Sequence, residues 1–294
     1  MCIVPAVVAV ATGVVVLYTS DDTPRGNYRE LRRHGATTTP AGCDSLRASL
    51  FGGASNFSTW LLFVQYACCF GVEVTMTNAA ALYFRDQFGQ STSSAAAIAS
   101  IFGWMNLFAR ALGGILSDWA NRRWGMRGRL WAQVVTLVGE GVMVLIFSNT
   151  GTLSGSIIVM VIFSLFVQAA EGCTYGIVPY IADECVGSIT GFVGAGGSAG
   201  AIGFGLAFRQ LAYHKAFMLM GIIILESVVL TALISIKGHA SLLWGENTVD
   251  DCNNEIAIFD KEDMDLISEE GDSDDENNTY APSQNVIDHS PAPP

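Results

Sequence analysis

Arg110 sits inside the apolar run GWMNLFARALGGILSD of residues 103–118. An arginine at membrane depth costs about 2.5 to 3.5 kcal/mol even on a lenient insertion scale, so one that is kept there faces a cavity, an ion path or a partner. Its planar, forked guanidinium matches a planar oxyanion through two parallel bonds, which an ammonium cannot do. Three readings are open from residue type alone. Arg110 clamps an anion, it snorkels to the interface, or it pairs with a carboxylate from a neighbouring apolar run, such as Glu73, Glu140 or Glu171. Glu226 also falls in an apolar run. Carboxylates in such places mark proton paths in transporters, and the sequence does not say which of the four titrates. Tyr66 and Phe70 share a helical face at i, i+4, where a phenol could donate to an oxyanion and a phenyl ring could wall a cavity, or the two could simply pack. The four histidines lie in loops or near the ends of apolar runs, so a Ser/His/Asp arrangement has no support. The seven cysteines have no CxxC and no metal-ligand spacing, which indicates neither a zinc site nor a disulfide framework. No enzymatic activity, metal or cofactor is expected.

The second unusual stretch is GFVGAGGSAGAIGFG, residues 191–205, with seven glycines in fifteen residues. Each interior glycine costs a helix about 1 kcal/mol relative to alanine, and close backbone contact is the natural offset. Gly191, Gly194, Gly197, Gly200 and Gly203 recur at i, i+3, while Gly196 and Gly200 form a GxxxG, a pattern that lets helices pack tightly in lipid. A phosphate-cradling loop would need a preceding strand and a later ribose-binding carboxylate, and neither is visible.

The elements that position these residues follow from hydropathy. The 294 residues are 51% hydrophobic and only 14% charged, with a mean hydropathy of +0.40. An apolar run at 3–18 is followed by candidate spans at 58–84, 94–116, 130–148, 154–178, 188–208 and 216–236, long enough to cross a bilayer. The run at 3–18 has neither the positive start nor the small-residue cleavage site of a signal peptide. Positive charge clusters in the linker 19–57 (Arg25, Arg29, Arg32, Arg33, Arg47) and in the loop 117–129 (Arg122, Arg123, Arg127, Arg129). Alternation of the spans puts both on one side, which the positive-inside rule makes cytoplasmic. Residues 246–294 hold fifteen acidic side chains against Lys261 alone. They read as a disordered cytoplasmic tail, in which Ser273 and Thr248, each followed by acidic residues, fit acid-directed phosphorylation. A seven-span receptor matches the helix count but needs neither the glycine run nor the basic loop.

Two motifs carry a family resemblance. Asn106, Arg110, Gly113 and Gly114 match the Asn-x-x-x-Arg-x-x-Gly-Gly pattern of helix eight in the nitrate/nitrite porter family, a branch of the major facilitator superfamily. The glycine run resembles the signature of that family's eleventh helix, which often has Asn where this chain has Ser198. GGILSDWANRRWGMRGR, residues 113–129, resembles the superfamily's loop between helices eight and nine. The segment after Tyr18 resembles the one that follows helix six.

The resemblance implies an all-α membrane protein, the C-terminal six-helix half of a major facilitator carrier plus a partial preceding helix. The implied domains are a partial transmembrane helix at 1–18, a cytoplasmic central loop at 19–57, a six-helix bundle at 58–237 and an acidic tail at 238–294. It implies transport of nitrate, with nitrite as a further substrate, coupled to protons. Arg110, Asn106, Tyr66, Phe70, Gly194, Gly197 and Ser198 would contact the anion. Gly114, Asp118, Arg122, Arg123, Gly191, Gly196, Gly200 and Gly203 would serve the conformational change, with the Asp and Arg residues forming a charge clasp. The family's second arginine, in helix two, has no counterpart here. Expected partners are nitrate or nitrite, protons, the bilayer, an N-terminal half and an accessory membrane protein, with no nucleic acid. Expected placement is multi-pass in the plasma membrane with a cytoplasmic C-terminal tail. A carrier of another small anion, and a half-transporter that does not transport, are the alternatives. With one arginine the chain alone should not move nitrate.

Overall fold

The computed structural model describes residues 3–19, 46–182, 185–236 and 238–245. Most of the expected linker and the acidic tail beyond Gly245, with Thr248 and Ser273, lie outside the described residues.

α1, Ile3–Thr19, is exposed from Ala6 onward. α2, Leu46–Ser55, lies within the segment expected to be a plain linker. Its glycines explain the difference: a Cβ on Gly52 would meet Cys185 Sγ at 2.7 Å and one on Gly53 would meet Ser188 Oγ at 2.5 Å. Ser188 Oγ also donates to the Ser49 carbonyl at 2.6 Å. The polar stretch is helical because it docks. Cys185 is disulfide-bonded, which the scattered cysteines did not announce.

Among the described residues, six helices are long and apolar enough to cross a membrane. These are α3, Phe57–Phe88; α4, Thr92–Trp124; α5, Met126–Ser148; α6, Leu153–Ile177, with a short 3-10 extension through Tyr180; α7, Val186–Gln210; and α8, Tyr213–Val228, continued as 3-10 turns to Leu233. Their ends have local causes. Asn56 caps α3 by accepting from the Ser58 N–H at 3.0 Å, and Gly89 closes it in the left-handed region with φ 63°. Ser91 caps α4, so α3 and α4 are joined by three residues. Gly125, with φ 62°, is the whole connection between α4 and α5.

In lipid, helices gain little from burying apolar faces against one another, so close contact rests on small residues. Three crossings use them. A Cβ on Gly196 or Gly200 of α7 would run into the Phe63 or Ala67 carbonyl of α3. One on Gly113 of α4 would run into the Ala169 carbonyl of α6, and one on Gly172 of α6 into the Arg110 carbonyl of α4. Gly141 of α5 and Gly221 of α8 face each other, each Cβ position 3.2 Å from the other's carbonyl oxygen. Gly191 and Gly203 behave otherwise, with nothing within 4 Å of their Cβ positions. The seam is therefore the GxxxG pair, and the i, i+3 spiral is not a continuous groove. Away from the arginine-rich end, Tyr83, Phe84, Phe147, Phe163 and Phe217 fill the core, Phe147 and Phe217 meeting edge to face at 4.9 Å.

Candidate anion site

The α4–α6 crossing fixes the centre of the site, because Gly172 brings α6 against the Arg110 carbonyl and Gly113, one turn further along α4, meets the Ala169 backbone. Arg110 Nη2 donates to Glu73 Oε2 of α3 at 2.8 Å, to Glu171 Oε2 of α6, and to Gln168 Oε1 of α6 at 3.5 Å. Asn106, one turn earlier on α4, donates to Glu73 Oε1 at 2.6 Å. Of the three readings left open by the sequence, carboxylate pairing is the state observed here, with Glu73 and Glu171 as partners. Glu140 is not among them. Glu171 is fully buried, Glu73 is 13% exposed and Arg110 is 38% exposed, so the guanidinium has one side in the protein and one open. An open recess of about 610 Å³ lies along α4 at Asn106, lined by Ser100, Gly103, Trp104, Asn106 and Leu107.

The pairing is incomplete. Arg110 Nε, Glu171 Oε1 and Gln168 Nε2 are buried without a hydrogen-bond partner. One cation shared by two carboxylates leaves the cluster negative when both are ionised. An incoming anion must then displace a carboxylate oxygen from Nη2, or a proton must neutralise the carboxylate first.

A wall of rings stands beside this centre. Tyr66 and Phe70 stack at 5.4 Å with planes 10° apart, and Tyr66 meets Tyr175 of α6 edge to face at 5.1 Å. The glycines of α7 make room for them: a Cβ on Gly197 would lie 2.5 Å from Phe70 Cδ1, and one on Gly194 would lie 3.6 Å from the Tyr175 hydroxyl. The fold thus gathers Asn106 and Arg110 with Glu73 as one set, and Tyr66, Phe70, Gly194 and Gly197 as an adjoining one. Ser198 joins neither. It is exposed and makes no hydrogen bond among the described residues. Glu226 is likewise exposed.

At the far end of α4, Asp118 Oδ1 accepts from Arg129 Nη1 at 2.6 Å, while Arg129 Nη2 donates to the Tyr180 hydroxyl at 3.2 Å with its guanidinium 5.1 Å from that ring's centre. The arginine that pairs with Asp118 is therefore Arg129, on the first turn of α5, and not Arg122 or Arg123. α4 stays helical to Trp124, which carries those two outward, and neither has an ion pair among the described residues. Gly114, expected to serve the conformational change, faces open space, and its neighbour Gly113 makes the close contact.

Sequence reasoning also passed over Gln168 and Tyr175 as site residues. A usable signal existed, since Gln168, Glu171 and Tyr175 fall at i, i+3, i+7 on one face of α6.

The profile described as Major Facilitator Superfamily covers residues 1–205. The chain belongs to the Major Facilitator Superfamily. As a major facilitator protein with six spanning helices it is a multi-pass membrane protein. It is 38% identical over 212 residues to "High affinity nitrate transporter 2.5" of Arabidopsis thaliana, covering 72% of this chain and 40% of that protein. It is 37% identical over 229 residues to "Nitrate transporter 2.1" of Chlamydomonas reinhardtii, covering 74% and 41%. To "High-affinity nitrate transporter 2.3" of Oryza sativa subsp. japonica it is 35% identical over 246 residues, covering 82% and 47%. These relatives fit the nitrate/nitrite porter branch, and the chain spans less than half the length of each.

Proposed function

We propose that this chain is the anion-clamping half of a nitrate carrier, with nitrite as a further substrate, coupled to protons. The observation that carries the reading is Arg110 within the spanning helix α4, 38% exposed and held by carboxylate partners on two other helices. A flat oxyanion matches the forked guanidinium, of which Glu73 and Glu171 engage only Nη2. Asn106, which now donates to Glu73, would donate to the anion once Glu73 releases it. Tyr66, Phe70, Gly194 and Gly197 shape the adjoining wall. The names of the relatives direct the choice of anion toward nitrate.

Proton coupling follows from charge. Nitrate brought to a cluster of one guanidinium and two carboxylates meets repulsion that protons on Glu73 and Glu171 would remove. The carrier would then work in the plasma membrane with its arginine-rich end in the cytoplasm, joined to an N-terminal half supplying the opposite wall, with an accessory membrane protein as a further partner. A second reading, transport of another small anion, is favoured by the openness of the recess. Isothermal titration of the reconstituted carrier with nitrate, nitrite, chloride and phosphate separates the two. Preferential heat with nitrate and nitrite is expected, and equal or stronger binding of chloride or phosphate would contradict the nitrate reading.

A further inference from the structure

Glu140 is the one carboxyl among the described residues that is fully buried with both oxygens unpartnered, and the account above gives it no task. Its depth is informative. Arg110 lies fourteen residues before Trp124, the end of α4, and Glu140 lies fourteen residues after Met126, the start of α5. At 1.5 Å per residue both are about 21 Å from the same turn, so Glu140 sits level with the Arg110 cluster, on the core side of it. Electrostatic interaction links it to Glu171 of α6 and to Cys68 and Cys69 of α3.

Its helix carries a line of polar groups. Arg129, Gln133, Thr136 and Glu140 step by four, three and four along α5, so they share a face, and each is no more than 6% exposed. The line is about 16 Å long, roughly half a hydrocarbon core of about 30 Å, and it ends at the Asp118–Arg129 clasp. Gln133 Nε2 donates to Thr174 Oγ1 of α6 at 2.9 Å, while Gln133 Oε1 is unpartnered. Buried polar atoms without protein partners are where ordered water resides. A carboxylate without a donor in such a place carries a desolvation penalty that a proton removes.

Resting on the proton-coupled reading above, we propose that Glu140 is a proton-holding station behind the anion clamp, exchanging its proton with Glu171 through buried water. In the step, the O–H bond of the Glu171 acid breaks, a water accepts that proton and releases one of its own, and an O–H bond forms on a Glu140 oxygen. Glu171 is left as the carboxylate that reclaims Arg110. The α5 line Thr136, Gln133 and Arg129 then leads toward the clasp end. The ionisable groups around this path are Glu73, Tyr66, Cys68 and Cys69 from α3, Arg110 and Asp118 from α4, Arg129 from α5 itself, and Glu171, Cys173 and Tyr175 from α6. Glu226, on α8, is exposed and does not face it.

The test uses the full chain in lipid nanodiscs, with Glu140→Gln as the isosteric variant and Glu140→Leu as a second that packs without a polar group. Infrared spectra in H₂O and D₂O report a protonated carboxyl by its C=O stretch. Wild type should show a buried acid band that shifts on deuteration, and both variants should lose the part of it that Glu140 contributes. In the assembled carrier, proton uptake on adding nitrate should fall by about one per bound anion in Glu140→Gln, with nitrate affinity changed less than about threefold. An acid band that keeps its full intensity and frequency in both variants overturns the proposal whether or not nitrate binds. So does a Glu140→Gln carrier that binds nitrate and takes up as many protons as wild type. Absence of nitrate binding in wild type would instead defeat the substrate reading, and the infrared result would still decide the fate of Glu140.

Discussion

At the scale of single residues the site is a contest for one guanidinium. Glu171 is fully buried and Glu73 nearly so, and hydrogen bonds to charged groups contribute about 1.5 to 3 kcal/mol each. Replacing Glu171 by Gln removes one competitor and one negative charge. Nitrate affinity of the assembled carrier at neutral pH should rise by about tenfold, equivalent to about 1.4 kcal/mol, and its pH dependence should flatten. The sign follows from the cluster's charge. In wild type, protons favour anion binding, so affinity falls as pH rises, and a neutral amide at 171 removes part of that slope. Titration calorimetry across pH checks it, and weaker binding with an unchanged slope would oppose the competition. The sequence announced Arg110, because one cation in an apolar run is visible without a fold. It did not announce which carboxylate meets it, since Glu73, Glu140 and Glu171 look alike in hydropathy and only the α3–α4–α6 arrangement distinguishes two partners from one bystander.

At the scale of elements the glycines of α7 divide by contact. Gly196 and Gly200 touch the backbone of α3, which cannot move aside as a side chain can, whereas Gly191 and Gly203 touch nothing. Gly200→Val should therefore destabilise the protein by at least about 1 to 3 kcal/mol through overpacking, seen as a lower midpoint in thermal unfolding in detergent. Gly203→Ala should raise the midpoint, since alanine recovers about 1 kcal/mol of helix propensity at no steric cost. Equal effects at the two sites would contradict the seam. The six expected spans all appear as helices, yet their ends were less legible. α4 was expected over 94–116 and runs from Thr92 to Trp124, because Asp118, Arg122 and Arg123 are polar enough to end a hydropathy run without ending a helix. That extension is why Arg122 and Arg123 point outward and Arg129, after the Gly125 turn, reaches Asp118. α2 was hidden because its helicity comes from docking on α7.

At the scale of the whole molecule, carriers of this superfamily place the substrate between two six-helix halves, and this chain spans less than half of the relatives cited. One clamp of this kind can neutralise an anion without enclosing it. Liposomes holding only these 294 residues should show no nitrate flux, and joining the first five helices of such a carrier upstream in one reading frame should restore it; robust flux from a monomeric chain alone would sink the half-site view. Breaking the clasp with Asp118→Asn should change uptake rate far more than nitrate affinity, because the pair lies about 12 Å along α4 from Arg110 by helical rise. The most direct test of the account is the nitrate affinity of Arg110→Lys in the assembled carrier, with surface expression measured alongside. Lysine keeps the charge and loses the fork, so the account predicts loss of high-affinity uptake with expression intact. Unchanged apparent affinity would contradict the clamp.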